Sequence, residues 1–292
     1  MLSTWLRVIR VRFLLASVIA VSNGLAITYW KYATIDPLHA ILTYIGVLFL
    51  HASVDLLNDY WDYKRGIDVA TKRTKFSGGT GVLPENLLTP RTVYIAGLVF
   101  LILGASIGTY FIMIRGVAIA IILGFAVTAI YFYSTKIVNA GLGELFVAIK
   151  GAMIVLGSLY VQNAVIEPAA LYAGAIVGIL SATVLFINSF PDYEADKSKG
   201  RRTLVIILGR KAASTIFPIF IIMTYALITV GIFFGLTKVY SLISFVSVPL
   251  AIKSTRALEK DPQNVDNIVP AMASTVTYSR TTGFLLALSY II

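Results

Sequence analysis

Two acidic patterns, about half a chain apart, carry the chemistry of this sequence. The first is Asn58-Asp59-Tyr60-Trp61-Asp62, followed by Asp68, and the second is Asn188-Ser189-Phe190-Pro191-Asp192, followed by Asp196. Each contains Asn-x-x-x-Asp, and at 3.6 residues per turn a spacing of four rotates only about 40°, so both side chains share a helix face. Asp55, Asn58 and Asp62 continue the first pattern as a stripe, whereas Asp59 points about 100° away from Asn58. Pro191 removes a backbone donor within the second pattern and predicts a kink there. Carboxylates at the mouth of an apolar helix are costly unless a cation meets them. Two such clusters facing each other form an oxygen-lined pocket suited to Mg²⁺, and so to a phosphate-bearing substrate.

Basic loops follow both clusters. After the first come Lys64, Arg65 and Gly66, then Thr71-Lys72-Arg73-Thr74-Lys75-Phe76-Ser77-Gly78-Gly79-Thr80-Gly81. After the second comes Lys197-Ser198-Lys199-Gly200-Arg201-Arg202-Thr203-Leu204. Glycines let backbone amides approach an anion, and Lys72, Arg73, Arg201 and Arg202 supply charge to neutralise a diphosphate. A third element, Tyr131-Phe132-Tyr133-Ser134-Thr135-Lys136, offers Tyr133 and a lone loop cation, Lys136, as further contacts. Each feature alone has a plainer explanation. A polar stripe marks any helix emerging into water, basic loops mark topology, and interfacial tyrosines anchor helices. The matched spacing on one side of the membrane is what favours a site.

The elements that must position these residues are membrane helices. Of 292 residues 58% are hydrophobic and 13% charged, and the mean hydropathy is +0.85, far from a soluble composition. The expected fold is all-α, a single transmembrane domain over residues 1–292. Nine spans are predicted near 13–30, 37–57, 92–114, 116–135, 141–163, 168–190, 212–235, 239–252 and 274–292, the first read as a retained helix rather than a signal peptide. The offset of four spans between the acidic patterns predicts two four-helix pseudo-repeats plus one helix, each contributing its second helix to the site. No cysteine is present, which excludes disulfides and thiolate chemistry.

Of the 24 Lys and Arg residues, twenty fall on the side that carries both acidic patterns. Three, Lys31, Arg115 and Lys238, fall on the other, and Lys150 lies within a span. The bias predicts a multi-pass cell-membrane protein with the N-terminus and active-site loops in the cytoplasm and the C-terminus outside. The net charge of +10 is thereby explained by topology, without a nucleic-acid partner. A transporter would place its polar residues near the bilayer midplane on broken helices. A CDP-alcohol phosphotransferase would crowd its Asp residues into one motif opening Asp-Gly-x-x-Ala-Arg, whereas here the carboxylates are split.

The paired patterns, read as Asn58-Asp59-Tyr60-Trp61-Asp62 and Asp192-Tyr193-Glu194-Ala195-Asp196 with Gly200-Arg201-Arg202-Thr203-Leu204 behind them, resemble the UbiA-type intramembrane aromatic prenyltransferases over almost the whole chain. Many members carry an Asp four residues after the first motif and then Asn-x-Pro-x-Arg-Pro. This chain has Gly66 at that place, Asp68 two residues on, and Ser77-Gly78-Gly79-Thr80-Gly81 instead of the proline run. That departure is similar to the menaquinone and vitamin K branch, which prenylates 1,4-dihydroxy-2-naphthoate. It sets 4-hydroxybenzoate, haem and glyceryl-phosphate acceptors behind it.

The resemblance implies Mg²⁺, two ions bridging an isoprenyl diphosphate of geranylgeranyl length or longer, and an aromatic acceptor within the bilayer. On it, Asn58, Asp59, Asp62, Asp68, Asp192 and Asp196 are the candidate metal ligands. Asn188, Lys72, Arg73, Tyr133, Arg201 and Arg202 are candidate substrate contacts, and Asp62, Asp192, Asp196 and Lys136 are candidate catalytic residues. Among the cations, Arg73, close behind Asp68, and Lys136, alone in its loop, are expected to stabilise the departing diphosphate.

Overall fold

The helix boundaries follow from short chemical stops and starts. In a computed structural model describing residues 1–292, a surface helix α1 (Leu2–Val8) leads into α2 (Val11–Tyr32) and α3 (Pro37–Lys64). Asp36 caps α3 by accepting from the His39 amide at 3.0 Å, and Pro37 occupies the first helical position, where a missing N–H costs nothing. A single turn, α4 (Ile67–Ala70), and a loop precede α5 (Pro90–Arg115), which repeats the device with Thr89 and Pro90. Then come α6 (Val117–Phe132), α7 (Gly143–Asn163), α8 (Pro168–Asn188), the short α9 (Tyr193–Ser198) and α10 (Leu204–Leu208), α11 (Arg210–Phe233), α12 (Val248–Lys260) and α13 (Val265–Ile291). Helix α6 runs on through a π turn at Tyr133–Ile137 and a 3₁₀ turn at Val138–Ala140.

Seven helices, namely α2, α3, α5, α6 with its extension to Ala140, α7, α8 and α11, are long and apolar enough to cross a bilayer. The chain is thus an all-helical, multi-pass membrane protein. The eighth expected span, 239–252, is not one apolar helix. Val239–Ser247 winds as a 3₁₀ helix, and Val248–Pro249 then opens α12, which carries Lys253, Arg256, Glu259 and Lys260. Three residues per turn stack Ser241, Ser244 and Ser247 in one line. That line meets α13, where Ser241 bonds Ser289 at 2.8 Å and Ser247 bonds Thr282 at 2.6 Å. The ninth span is the last part of α13, a 27-residue helix whose buried Ser274, Thr275, Thr282 and Ser289 make it an interior helix, not an apolar one.

The core lies between α2, α7, α8, α11 and α13, with Phe186, Phe217, Tyr278 and Tyr290 fully buried. Small residues let backbones touch where no hydrophobic effect drives helices together. A Cβ at Gly151 would sit 2.9 Å from Gly178 Cα, and one at Gly174 would sit 2.9 Å from Ala152 Cα, so α7 and α8 are pressed together along that stripe. The remaining helices, α3, α5 and α6, close a cavity against α2, α7, α8 and α13.

Candidate active site

The acidic stripe occupies the last turns of α3, where the apolar run ends, and each of its members meets a different partner. Asp62 is buried and pairs with Arg201, whose other nitrogen bonds Asp196 at 3.0 Å. One guanidinium, with its side chain 10% exposed, therefore joins the two acidic patterns across 139 residues of chain. Asn58 accepts a hydrogen bond from Ser134 in the π turn. Asp59, on the other face of the helix, is fully buried against Arg10 at 2.9 Å and the Thr80 amide and hydroxyl. Its oxygens therefore already have a cation and two donors, unlike those of Asp68 and Asp192. A rotation of about 100° between neighbouring residues on a helix turns it away from Asn58.

The second pattern is not continuous helix. Helix α8 stops at Asn188, and α9 begins just after Asp192, beyond a turn that contains Pro191. The helix ends here rather than kinking, so Asn188 and Asp192 are linked by a turn and do not share one helical face. Helix α9 then packs on α4, which brings Asp196 and the buried Asp68 to the same region as Asp62. The glycine-rich segment folds over this region. The Gly78 amide donates to Asp192 Oδ2 at 3.2 Å, so the anion that these glycines approach is one of the protein's own carboxylates. Gly79, at φ +69°, lies so close to the Asp68 carboxyl that a Cβ there would overlap it.

Charge in this cluster is unbalanced. Burial, followed by the nearby Asp62 and Asp59, pushes the Asp68 carboxyl up to about 8. Burial and Asp196 push Asp192 up to about 7, and burial likewise raises Asp196. For Arg201 burial works against the charge, but Asp62 and Asp196 outweigh it and raise its pKa. One cation thus serves several acids. Asp68 Oδ2, Asp192 Oδ1 and Asn188 Oδ1 are buried with no hydrogen-bond partner at all. Such orphaned oxygens fit a hard, oxygen-seeking cation. No three carboxylates yet converge on one point as they stand, since Arg201 lies between Asp62 and Asp196.

The other expected contacts separate into two groups. Tyr133, Asn58, Asn188 and Phe76 line the cavity directly below the cluster. Arg73 is drawn to Glu85, which it shares with Arg7. Lys72 is exposed, 3.8 Å from Asp266, and both Lys136 and Arg202 are exposed. Sequence reasoning missed Arg10 as the partner of Asp59. It also missed Arg65, which donates to Ser134 O at 2.9 Å, Asn139 Oδ1 at 2.8 Å and Lys199 O at 2.9 Å, tying three loops together. No local signal marks either residue, because every partner lies at least 49 residues away.

The cavity has a volume of about 370 Å³ and 25 hydrophobic residues among its 41 lining residues. Along α3 its wall runs from Asn58 to Leu42, sixteen residues or roughly 24 Å of helix rise. A polar mouth thus opens into a long, mainly apolar channel whose wall also carries His51, Asp55 and Lys150.

A family model described as the UbiA prenyltransferase family matches residues 16–273. The chain is 26% identical to a 1,4-dihydroxy-2-naphthoate octaprenyltransferase of Bacillus subtilis, over 96% of this chain and 89% of that protein. It is 22% identical to a 2-carboxy-1,4-naphthoquinone phytyltransferase of Synechocystis, over 98% and 92%. In three dimensions it is similar to a UbiA homolog from Archaeoglobus fulgidus bound to DMAPP and Mg²⁺, with TM-score 0.67, 16% identity and coverage of 98% and 99%. It also resembles a digeranylgeranylglyceryl phosphate synthase, with TM-score 0.65, 19% identity and coverage of 99% and 98%. A seven-helix apolar bundle, two acidic patterns joined at the mouth of its channel, and a family match over most of the length lead to one conclusion: the chain belongs to the UbiA prenyltransferase family.

Proposed function

We propose that the protein moves a polyprenyl group from an isoprenyl diphosphate to an aromatic acceptor of the dihydroxynaphthoate type, within the membrane and with Mg²⁺. The observation that carries the proposal is the meeting of Asp62 and Asp196 on Arg201 above an apolar channel. Relatives named for naphthoate acceptors support the acceptor class, and a solved homolog bound to DMAPP and Mg²⁺ supports the donor and the ion.

In this reading Asp62, Asp68, Asp192 and Asp196, with Asn58 and Asn188, would hold Mg²⁺, and the oxygens of Asp68, Asp192 and Asn188 that lack protein partners support it. Bound there, Mg²⁺ supplies charge neutralisation for the diphosphate and for the negative charge that grows on it as it departs. With Asp62 and Asp196 neutralised in that way, the Arg201 guanidinium between them would be available to bind diphosphate oxygens bidentately. The channel takes the prenyl tail, each buried methylene contributing about 0.8 kcal/mol. When the C1–O bond breaks, its electron pair leaves with diphosphate, and the allylic cation is sheltered from water by the apolar walls. A carbon of the electron-rich ring captures it and then loses a proton or, in a carboxylated acceptor, carbon dioxide.

The test uses membranes containing the protein with labelled geranylgeranyl diphosphate and 1,4-dihydroxy-2-naphthoate, 4-hydroxybenzoate or geranylgeranylglyceryl phosphate. The expected product is prenylated naphthoate, formed with Mg²⁺ and lost with EDTA. Absence of transfer to all three acceptors, with uptake of any of them into sealed vesicles, would replace the enzyme reading with a transporter.

The charge bias orients the bundle, with the N-terminus and both acidic patterns on the cytoplasmic side. A tag inserted in the loop 71–89 should be protease-accessible only from the cytoplasm, and one near Lys238 only from outside. The reverse pattern would overturn the orientation.

A further inference from the structure

Below the acidic cluster, the channel holds a second polar group that the diphosphate site does not use. On α3, His51 and Asp55 lie one turn apart and face the cavity, with His51 Nε2 3.8 Å from Asp55 Oδ2. Ser17 of α2 fixes the ring through a 2.7 Å hydrogen bond to His51 Nδ1. Across the same cavity stands Lys150 of α7. Its ammonium has no ion-pair partner within 4.0 Å, and Asp55 Oδ2 is buried with no hydrogen-bond partner. The other cations on the cavity wall are engaged, Arg10 by Asp59 at 2.9 Å and Arg280 by the Arg12 carbonyl at 2.5 Å.

An ammonium with no ion pair, and a carboxylate whose only close ionisable partner is the His51 ring at 3.8 Å, are expensive to maintain on the walls of one cavity within a membrane bundle. A ligand that offers an anion to one and an O–H donor to the other removes both costs. Depth points to the same ligand. Asp55 lies seven residues before Asp62, and Lys150 seven residues after the start of α7, each roughly 10 Å of helix rise below the mouth. That interval leaves room for an aromatic ring between the polar group and the carbon bonded to the diphosphate.

We propose that Lys150, Asp55 and His51 form the acceptor-recognition site, and that it selects an aromatic acid. The acid's carboxylate binds Lys150, and its phenolic hydroxyl donates to Asp55, which His51 steadies. The inference rests on the prenyl-transfer reading and narrows its acceptor to one carrying an anionic group.

The experiment compares 1,4-dihydroxy-2-naphthoate with 1,4-dihydroxynaphthalene, which lacks only the carboxylate, using geranylgeranyl diphosphate as donor. Wild-type protein should favour the acid. In Lys150→Met the kcat/KM ratio of acid to diol should fall about thirtyfold, the value of one charge-assisted hydrogen bond, with the loss in acceptor KM. The KM for geranylgeranyl diphosphate should stay within about twofold, and Lys150→Arg should keep most of the preference, since the charge is retained. Equal losses on both acceptors, or a rise confined to the diphosphate KM, would overturn the assignment.

Inhibition of the wild-type enzyme gives a measurement that needs no variant. 2-Naphthoate should compete with the acceptor at about tenfold lower concentration than 2-naphthol, and equal potency overturns the proposal. Wild-type transfer without any preference for the acid sinks this inference alone. Failure on every aromatic acceptor sinks the prenyl-transfer reading with it.

Discussion

Asp62→Ala and Asp192→Ala should each lower prenyl transfer at least a thousandfold, because each removes an oxygen placed where diphosphate charge must be balanced. The two variants differ in what they do to the fold, and the difference separates function from structure. Asp62 forms a buried pair with Arg201, so its removal leaves part of a cation uncompensated and should cost about 3–5 kcal/mol of stability. Asp192 has no cationic partner. One oxygen accepts from the Gly78 amide and the other is orphaned. Its carboxyl is held up near 7 by burial, so deleting it removes a poorly solvated group. In the absence of Mg²⁺, Asp192→Ala should therefore melt at or above the wild-type temperature while losing activity. Melting curves with and without Mg²⁺, set beside turnover, check both halves. Near-normal turnover in either variant at ordinary Mg²⁺ would remove the two-cluster site.

The second large effect is expected at Arg201. Arg201→Ala should reduce kcat about a hundredfold or more, equivalent to roughly 2.7 kcal/mol of transition-state stabilisation. The surrounding cations divide by their environment. Arg73 is held by Glu85 and Lys72 stands near Asp266, both in water. Their alanine variants, and that of the exposed Arg202, should change transfer by less than about fivefold, since exposed ion pairs are worth about 0–1 kcal/mol. Lys136, exposed on the π turn beside the channel-lining Tyr133, is placed to meet diphosphate arriving from solvent. Its alanine variant should raise the diphosphate KM more than it lowers kcat. Arginine-to-lysine replacement at 201 should recover little, because a point charge does not reproduce a guanidinium fork shared between two acids. If all five alanine variants behave alike, no individual cation carries the step and only the metal site survives.

These expectations depart from the sequence reading at a definite place. Spacing alone favoured Arg73 and Lys136, because Arg73 follows Asp68 closely and Lys136 stands alone in its loop. Neither argument contains the distance to Glu85, or the route by which Arg201 returns to the end of α3. Helices α3, α5, α7, α8 and α11 fall close to their predicted spans, since an apolar run bounded by a polar cap and Pro has one favourable conformation in lipid. The segment expected as a span at 239–252 is helical but begins as a run of 3₁₀ turns. Apolar composition does not distinguish an α-helix from a 3₁₀ segment whose serines bond a neighbouring helix.

By itself the sequence determined the class of molecule, the two acidic patterns and the family. Each is a property of composition or of spacing within about one turn, where covalent geometry sets the relation between side chains. Tertiary structure decided which carboxylates are free. Asp59 meets Arg10 and Thr80, Asp192 follows α8 through a turn that contains Pro191, and Arg201 spans Asp62 and Asp196. It also decided that Lys150 and Asp55 share a cavity without touching. The Arg10–Asp59 and Arg201–Asp62 pairs join residues 49 and 139 positions apart, and they are settled by which buried charges can find a partner once the helices have packed.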